Sequence, residues 1–264
     1  GDNGSDHTLT LDGDDQTHSI AGRVGDGDAN TVTIDVTGAG SQGVTIEGST
    51  DDADDEARIE DLTASATGVS ISSSTPLQQI DGDVTVEDQG SLDLALEDAA
   101  GDGLSNGTTG NNDQAIEGQL TVNDQLTLSS NVEVTSNANS DAVQVDASGK
   151  NGEIRFGDFN LTITGDGANF DGDQDATYSS TGGELILSRG NGASGNNAQG
   201  LGTAGVSVPR VSVEDRAGSK GVTLNDDAAT STLLDVDTPI ALSGNTFEVS
   251  GVDGDAVTDD VALN

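Results

Sequence analysis

The run DGDQD sets Asp171, Asp173 and Asp175 at alternate positions of a short glycine-containing loop, with Asp166 just upstream. Alternating carboxylates in a tight loop converge on one hard cation, so these four residues form a candidate site for Ca2+ or another cation. The loop is not an EF-hand. Ala176 stands where the EF-hand glycine would be, and Gly182 stands where its closing bidentate Glu would be. Asp12, Asp14, Asp15, Asp26, Asp28, Asp253 and Asp255 make similar short runs, and a hydrated acidic loop is the competing reading for all of them. Paired carboxylates are also the machinery of glycoside hydrolysis. Sugar clefts, however, are commonly lined by aromatics, and this chain has no Trp and one Tyr. His7 and His18 form a candidate metal pair, against a reading as surface loop histidines. No nucleophile elbow, phosphate loop or HExxH is present. The sequence therefore supplies no catalytic residue, and the expectation is a protein that is not an enzyme. Asn3, Asn106 and Asn160 lie in N-x-[ST] sequons and are candidate glycan sites.

The elements that hold these residues must fold in an unusually acidic chain. Eight Lys plus Arg stand against 48 Asp plus Glu in 264 residues, a formal charge of −40. Low hydrophobicity with high net charge is a signature of disorder. Patterning argues the other way, because β-branched residues alternate strictly between turn signals. Repulsion among forty excess charges is severe in dilute buffer, and it collapses at about 1 M salt, where the Debye length is about 3 Å. Acids spread from Asp2 to Asp260, scarce lysine and few aromatics fit a folded protein of a salt-saturated environment. Cations are the natural counter-species. Nucleic acid is excluded for want of a basic patch, and no run of the sequence is apolar enough to insert in a membrane. The lack of cysteine removes disulfide and thiol chemistry. A chain that opens on Gly1 and holds no methionine reads as a processed, exported product.

The phrase VTIDVTGAGSQGVTIEG (32–48) joins two alternating runs, and residues 57–73 and 82–98 repeat it at an offset of 25. That offset aligns Ile34 with Ile59 and Val84, Val44 with Val69 and Leu94, and Ile46 with Ile71 and Leu96. IDGDVTVED (80–88) and IEGQLTVND (116–124) share five of nine residues at an offset of 36. Looser copies begin at Val132, Ala142, Glu153, Asn160 and Gly183, and 211–229 resembles 84–100. Repeats of this length mark arrays whose units bury their apolar faces only against neighbours. The expected fold is all-β, a parallel β-solenoid with coils of about 25 residues, each holding two strands. An antiparallel β-sandwich or jelly roll is the alternative. No helix is expected. The glycine-rich stretch 189–205 reads as a joint between a repeat domain, 1–190, and a continuation or second small β domain, 206–264, with one domain as the alternative.

GVTIEGSTDDADDEARIEDLTASATGVSIS looks like a coil of the parallel β-helix of secreted carbohydrate-active proteins, phage spikes and surface adhesins. GDFNLTITGDGANFDGD and GELILSRGNG are similar in style to haemagglutinin-like surface proteins. The likeness covers residues 30–230 in repeat style. It implies an extracellular or cell-surface location and carries no functional residues. The expected function is a non-enzymatic, self-assembling surface or filament subunit adapted to brine. Its partners would be further copies of itself, cations and glycans. The alternatives are a secreted polysaccharide-acting β-helix enzyme and a virion spike or tail component. In the assembly reading Leu9 and Leu11 of the first strand, and Val261 and Leu263 of the last, pair with a neighbouring copy.

Overall fold

The computed structural model describes residues 7–12, 18–21, 32–37, 44–47, 58–59, 61–73, 77, 79–96, 115–135, 141–145, 151–164, 168–172, 176–189, 199–201, 207–208, 211–215, 222–225, 235–236, 241–243 and 247–250. Short runs of β-branched and aliphatic residues, each closed by Gly, Asp, Asn or Ser, give 27 strands and, among the described residues, no helix. In chain order they are β1 (His7–Asp12) and β2 (His18–Ala21), then β3 (Val32–Thr37), β4 (Val44–Glu47) and β5 (Arg58–Ile59). Next come β6 (Leu62–Ala64), β7 (Val69–Ile71) and β8 (Gln79–Ile80), then β9 (Val84–Val86), β10 (Ser91–Leu94) and β11 (Ala115–Ile116). They are followed by β12 (Leu120–Val122), β13 (Gln125–Leu128) and β14 (Val132–Val134), then β15 (Asp141–Val145), β16 (Glu153–Gly157) and β17 (Leu161–Ile163). The remainder are β18 (Asn169–Gly172), β19 (Thr177–Ser180), β20 (Leu185–Arg189), β21 (Gln199–Leu201), β22 (Ser207–Val208), β23 (Val211–Asp215), β24 (Val222–Asn225), β25 (Asp235–Val236), β26 (Ala241–Ser243) and β27 (Phe247–Ser250).

From β3 onward every third strand joins the same sheet, and β1 and β2 pair with β3 and β4. Sheet A has the order β1-β3-β6-β9-β12-β15-β18-β21-β24-β27, sheet B the order β2-β4-β7-β10-β13-β16-β19, and sheet C the order β5-β8-β11-β14-β17-β20-β23-β26. Strands β22 and β25 pair with each other at the sheet B place in the chain order. Neighbours in sheet A pair in parallel throughout, as they do in sheet B and sheet C. The fold is the parallel β-solenoid, and the antiparallel sandwich is excluded.

One column of register partners runs the length of sheet A: Leu9, Ile34, Leu62, Val84, Leu120, Val143, Phe170, Leu201, Leu224 and Val249. Leu62, Val84, Leu120, Val143 and Phe170 of that column are fully buried. Sheet C adds the column Ile59, Ile80, Ile116, Val134, Ile163 and Leu187, and sheet B adds Val69, Leu92, Leu126 and Ile154. All of these are buried in one continuous core. Each coil supplies only a few apolar side chains and covers them with the coils on either side. Tyr178 closes the sheet B column above Ile154 and tilts its ring against Phe170, with centroids 5.8 Å apart.

The coil holds three strands, not two, and this corrects three ladders expected from the repeat. Ile34 stacks on Leu62 and then Val84, whereas Ile59 belongs to sheet C and stacks on Ile80. Val69 stacks on Leu92, not Leu94. Leu96 does not follow Ile71; it bridges to Leu77. The steps of 28 from Ile34 to Leu62 and 22 from Leu62 to Val84 average to the 25 of the repeat. In sheet A a fixed offset therefore lands correctly two coils on and misses the coil between, whereas in sheet B it holds for the first step, Val44 to Val69 and Ile46 to Ile71, and fails at the second. Val211 likewise lies in sheet C, not above Val84 in sheet A. The offset of 36 is real: Ile80 pairs with Ile116, and Val84 with Leu120.

Candidate functional site

Where the chain turns from sheet C into sheet A, acidic side chains bind the next coil's backbone. Asp61 Oδ1 accepts a hydrogen bond from Asp83 N at 2.7 Å, and Asp83 Oδ1 accepts one from Gln119 N at 2.7 Å. At the turn from A to B, Asp124 Oδ2 accepts from Gln89 N at 2.9 Å. Gln89 occupies the left-handed region at φ 69°, and Gly90 follows because a Cβ there would lie 2.2 Å from the Ala64 carbonyl oxygen. Hydrogen bonds to ionised acceptors are roughly twice as strong as neutral ones. The carboxylates at these corners thus stitch one coil to the next.

The turn from B to C uses a carboxamide ladder. Asn160 N donates to Asn131 Oδ1 at 3.0 Å, and Asn160 Oδ1 accepts from Glu184 N at 3.1 Å. Beside it the Gly157 carbonyl, on a residue with φ 59°, accepts from the amides of Thr181, Gly182 and Gly183 at 2.8, 3.0 and 2.9 Å.

The outward side chains of the three sheets differ. Sheet A carries a row of threonines, Thr63, Thr85 and Thr121, in direct register. Sheet B carries Arg155, whose Nη2 donates to Glu153 Oε2 at 2.7 Å, with Gln125 Nε2 on the same oxygen at 3.2 Å. The Arg155 hydrogen bond holds the Glu153 carboxyl below the ordinary glutamate range; partial burial opposes this and Gln125 assists. The same bond raises Arg155. On sheet C, Glu133 Oε1 accepts from Thr164 Oγ1 at 2.7 Å and Thr135 Oγ1 at 3.3 Å, and the two hydroxyls lie 3.1 Å apart. Glu184 Oε2 accepts from Ser212 Oγ at 2.6 Å. Thr162 sits in register with Glu133 and Ile186; it is fully buried, and its hydroxyl has no hydrogen-bond partner.

Of the candidate cation residues, Asp171 lies in β18 beside Gln144 in the outward register of sheet A. Asp166, Asp173 and Asp175 fall outside the described residues. Among the described residues no three His, Cys, Asp or Glu are grouped to hold a metal. His7 and His18 enter different sheets, A and B. Asn160 is half-buried in the carboxamide ladder, while Asn3 and Asn106 fall outside the described residues. Leu9 and Leu11 lie in β1, in register with Ile34 and Val36, and Val261 and Leu263 fall outside the described residues. Among the described residues no helix is long and apolar enough to cross a membrane.

The threonine row and the Asp61–Asp83 stitch were missed by sequence reasoning. Their signal was present: LTA, VTV and LTV each carry the same central threonine, preceded by D, GD and GQ. Comparison with protein families, with characterised proteins and with solved structures finds no match. The described surface is a set of ladders of hydroxyl, carboxamide and carboxylate groups at the strand spacing of about 4.8 Å. Such a surface is suited to repeated polar contacts with water, ions or another ordered surface.

Proposed function

We propose that this chain is a non-enzymatic extracellular structural protein, a self-assembling cell-surface or filament subunit adapted to high salt. The observation that carries the reading is the parallel column from Leu9 to Val249, a fold that is already a stack of repeated coils. Two further features support it. The corner carboxylates Asp61, Asp83 and Asp124 serve coil-to-coil bonding. The net charge of −40 suits a solvent in which cations screen a polyanionic rod. Cations are thus its constant partners, and glycans its further candidates.

The test is negative-stain electron microscopy of the purified chain in about 3 M salt, where screening lengths fall below about 3 Å, and again after dialysis to low salt. Uniform fibres in brine that shorten or vanish on dialysis are expected. Discrete monodisperse particles in brine would overturn the reading and direct attention to cleavage of polysaccharides.

A further inference from the structure

We propose that copies of this chain stack head to tail, β27 of one copy pairing in parallel with β1 of the next and Val249 standing opposite Leu9; the inference rests on the structural reading above and specifies its contact.

Among the described residues β1 pairs only with β3, and β27 only with β24. Both are edges of the same ten-stranded sheet. A strand edge carries a row of backbone N–H and C=O groups that templates another strand. Because every pair in sheet A is parallel, its two edges are unlike and complementary. Joining one to the other repeats the bond made at every internal step, whereas joining like edges reverses strand direction. A contact between two different surfaces of this kind does not close on itself and grows into a filament.

The register follows from the columns. Val249 ends the column that Leu9 begins. On either side Glu248 then falls opposite Thr8, and Ser250 opposite Thr10. No carboxylate is set directly against another at the joint, which matters in a chain of this charge, since like charges directly opposite are destabilising. The end coils also match in size: the first step of sheet A, Leu9 to Ile34, is 25 residues, and the last, Leu224 to Val249, is 25 residues.

The chain has no cysteine, so introduced thiols report on this contact alone. Adjacent strands lie about 4.8 Å apart, which places Thr8→Cys and Glu248→Cys within reach of a short bismaleimide across the joint. The double variant, cross-linked in brine and run on a denaturing gel, should give a ladder of dimers, trimers and longer species. Each single variant should stay monomeric. The pair Thr10→Cys and Ser250→Cys repeats the test two residues further along each strand and covers poor folding of the first. Dimers from a single variant would show a like-to-like contact and overturn the proposal. Fibres by microscopy without a ladder from either pair would overturn it too, while leaving the structural reading standing. Neither fibres nor ladder would overturn both.

Discussion

Sheets B and C carry the same inward pattern and opposite outward ones. In β16, Ile154 and Phe156 are buried and Arg155 between them is exposed, with 46% of its side chain accessible. In β17, Leu161 and Ile163 are buried, and so is Thr162 between them, at 0%. The contrast extends along the sheets. Thr177 and Ser179 of β19 are exposed, while Gln79 of β8 and Ile186 of β20 are only 5% and 6% accessible. In the outward row of sheet C, Gln79, Thr162 and Ile186 are thus buried, while Glu133 and Ser212 of the same row are half-buried. Chain length agrees with this. The connection from sheet B to sheet C runs from Leu94 to Ala115 in one coil and from Leu128 to Val132 in the next, so the longest insertion borders sheet C. In repeat folds insertions gather on one face, often the binding face. The lesson is that the same inward alternation is compatible with different cover on the outward side.

The sharpest way to break this comparison is to place one charge on each face. Ile186→Asp buries an unpaired carboxylate and should destabilise by about 3–5 kcal/mol. Ser179→Asp on sheet B should shift stability by no more than about 0.5 kcal/mol. Thermal or denaturant unfolding of both in brine decides it; equal small effects would show that Ile186 is not covered. The next largest effect is at the corner between the two sheets. A Cβ on Gly183 would lie 1.9 Å from the Phe159 carbonyl oxygen, whereas one on Gly182 would meet only the Asp158 Oδ1 at 3.1 Å. Gly183→Ala should cost about 1–3 kcal/mol or more, since backbone must shift. Gly182→Ala should cost less, because a flexible side chain can move aside. Unfolding midpoints of the pair are the measurement, and equal values would refute the close approach.

The fate of the sequence reading follows from what alternation can encode. The sheet A strands VTIDV, VTV and LTV were legible because each alternates aliphatic with polar residues, whereas LTA between them was passed over for Ile59. In the third sheet the copies from Val132, Asn160 and Gly183 were legible as strands, but β8 and β11 were not, because they are two residues each, too short for any period to exist. Ile59 was seen as a repeated aliphatic but assigned to the wrong ladder, since it stacks on Ile80 in sheet C. Coil steps that vary from 22 to 36 blurred the register, since a turn can gain or lose residues while the strands stay stacked. The burial of Thr162 was illegible for a different reason. LTI in β17 has the same pattern as LTV in β12, and only what lies over the sheet distinguishes them. The corner acids escaped notice because Asp61 and Asp83 are two among 48 acidic residues, and their role depends on a backbone N–H one coil away.

A smaller effect of reversed sign sharpens the contrast between the faces. The Thr162 hydroxyl is buried without a partner, and such a group carries a desolvation cost of about 1–3 kcal/mol. Thr162→Val keeps the side-chain shape and removes that cost. It should stabilise the fold by about 1 kcal/mol. Thr127→Val, on sheet B, should be neutral within about 0.5 kcal/mol. Destabilisation by Thr162→Val on chemical denaturation would mean that the hydroxyl is satisfied.

The smallest effect belongs to the exposed pair on sheet B, and its sign is set by pH. Arg155 holds the Glu153 carboxyl below its ordinary range, chiefly through their hydrogen bond. A carboxyl whose folded pKa lies below its unfolded value adds stability that is fully present above the unfolded value. That stability is lost as pH falls through the lowered folded value. Arg155→Ala should therefore bring the Glu153 pKa up toward the ordinary glutamate range, as read by NMR titration of its side-chain carboxyl carbon. It should also flatten, slightly, the loss of stability on acidification. Near neutral pH the change in stability should stay below about 1 kcal/mol, because exposed ion pairs are weak and salt screens them further. A Glu153 titration unmoved by Arg155→Ala would show that the pair does not hold in solution. A large loss of stability at neutral pH would show that sheet B is covered around Arg155.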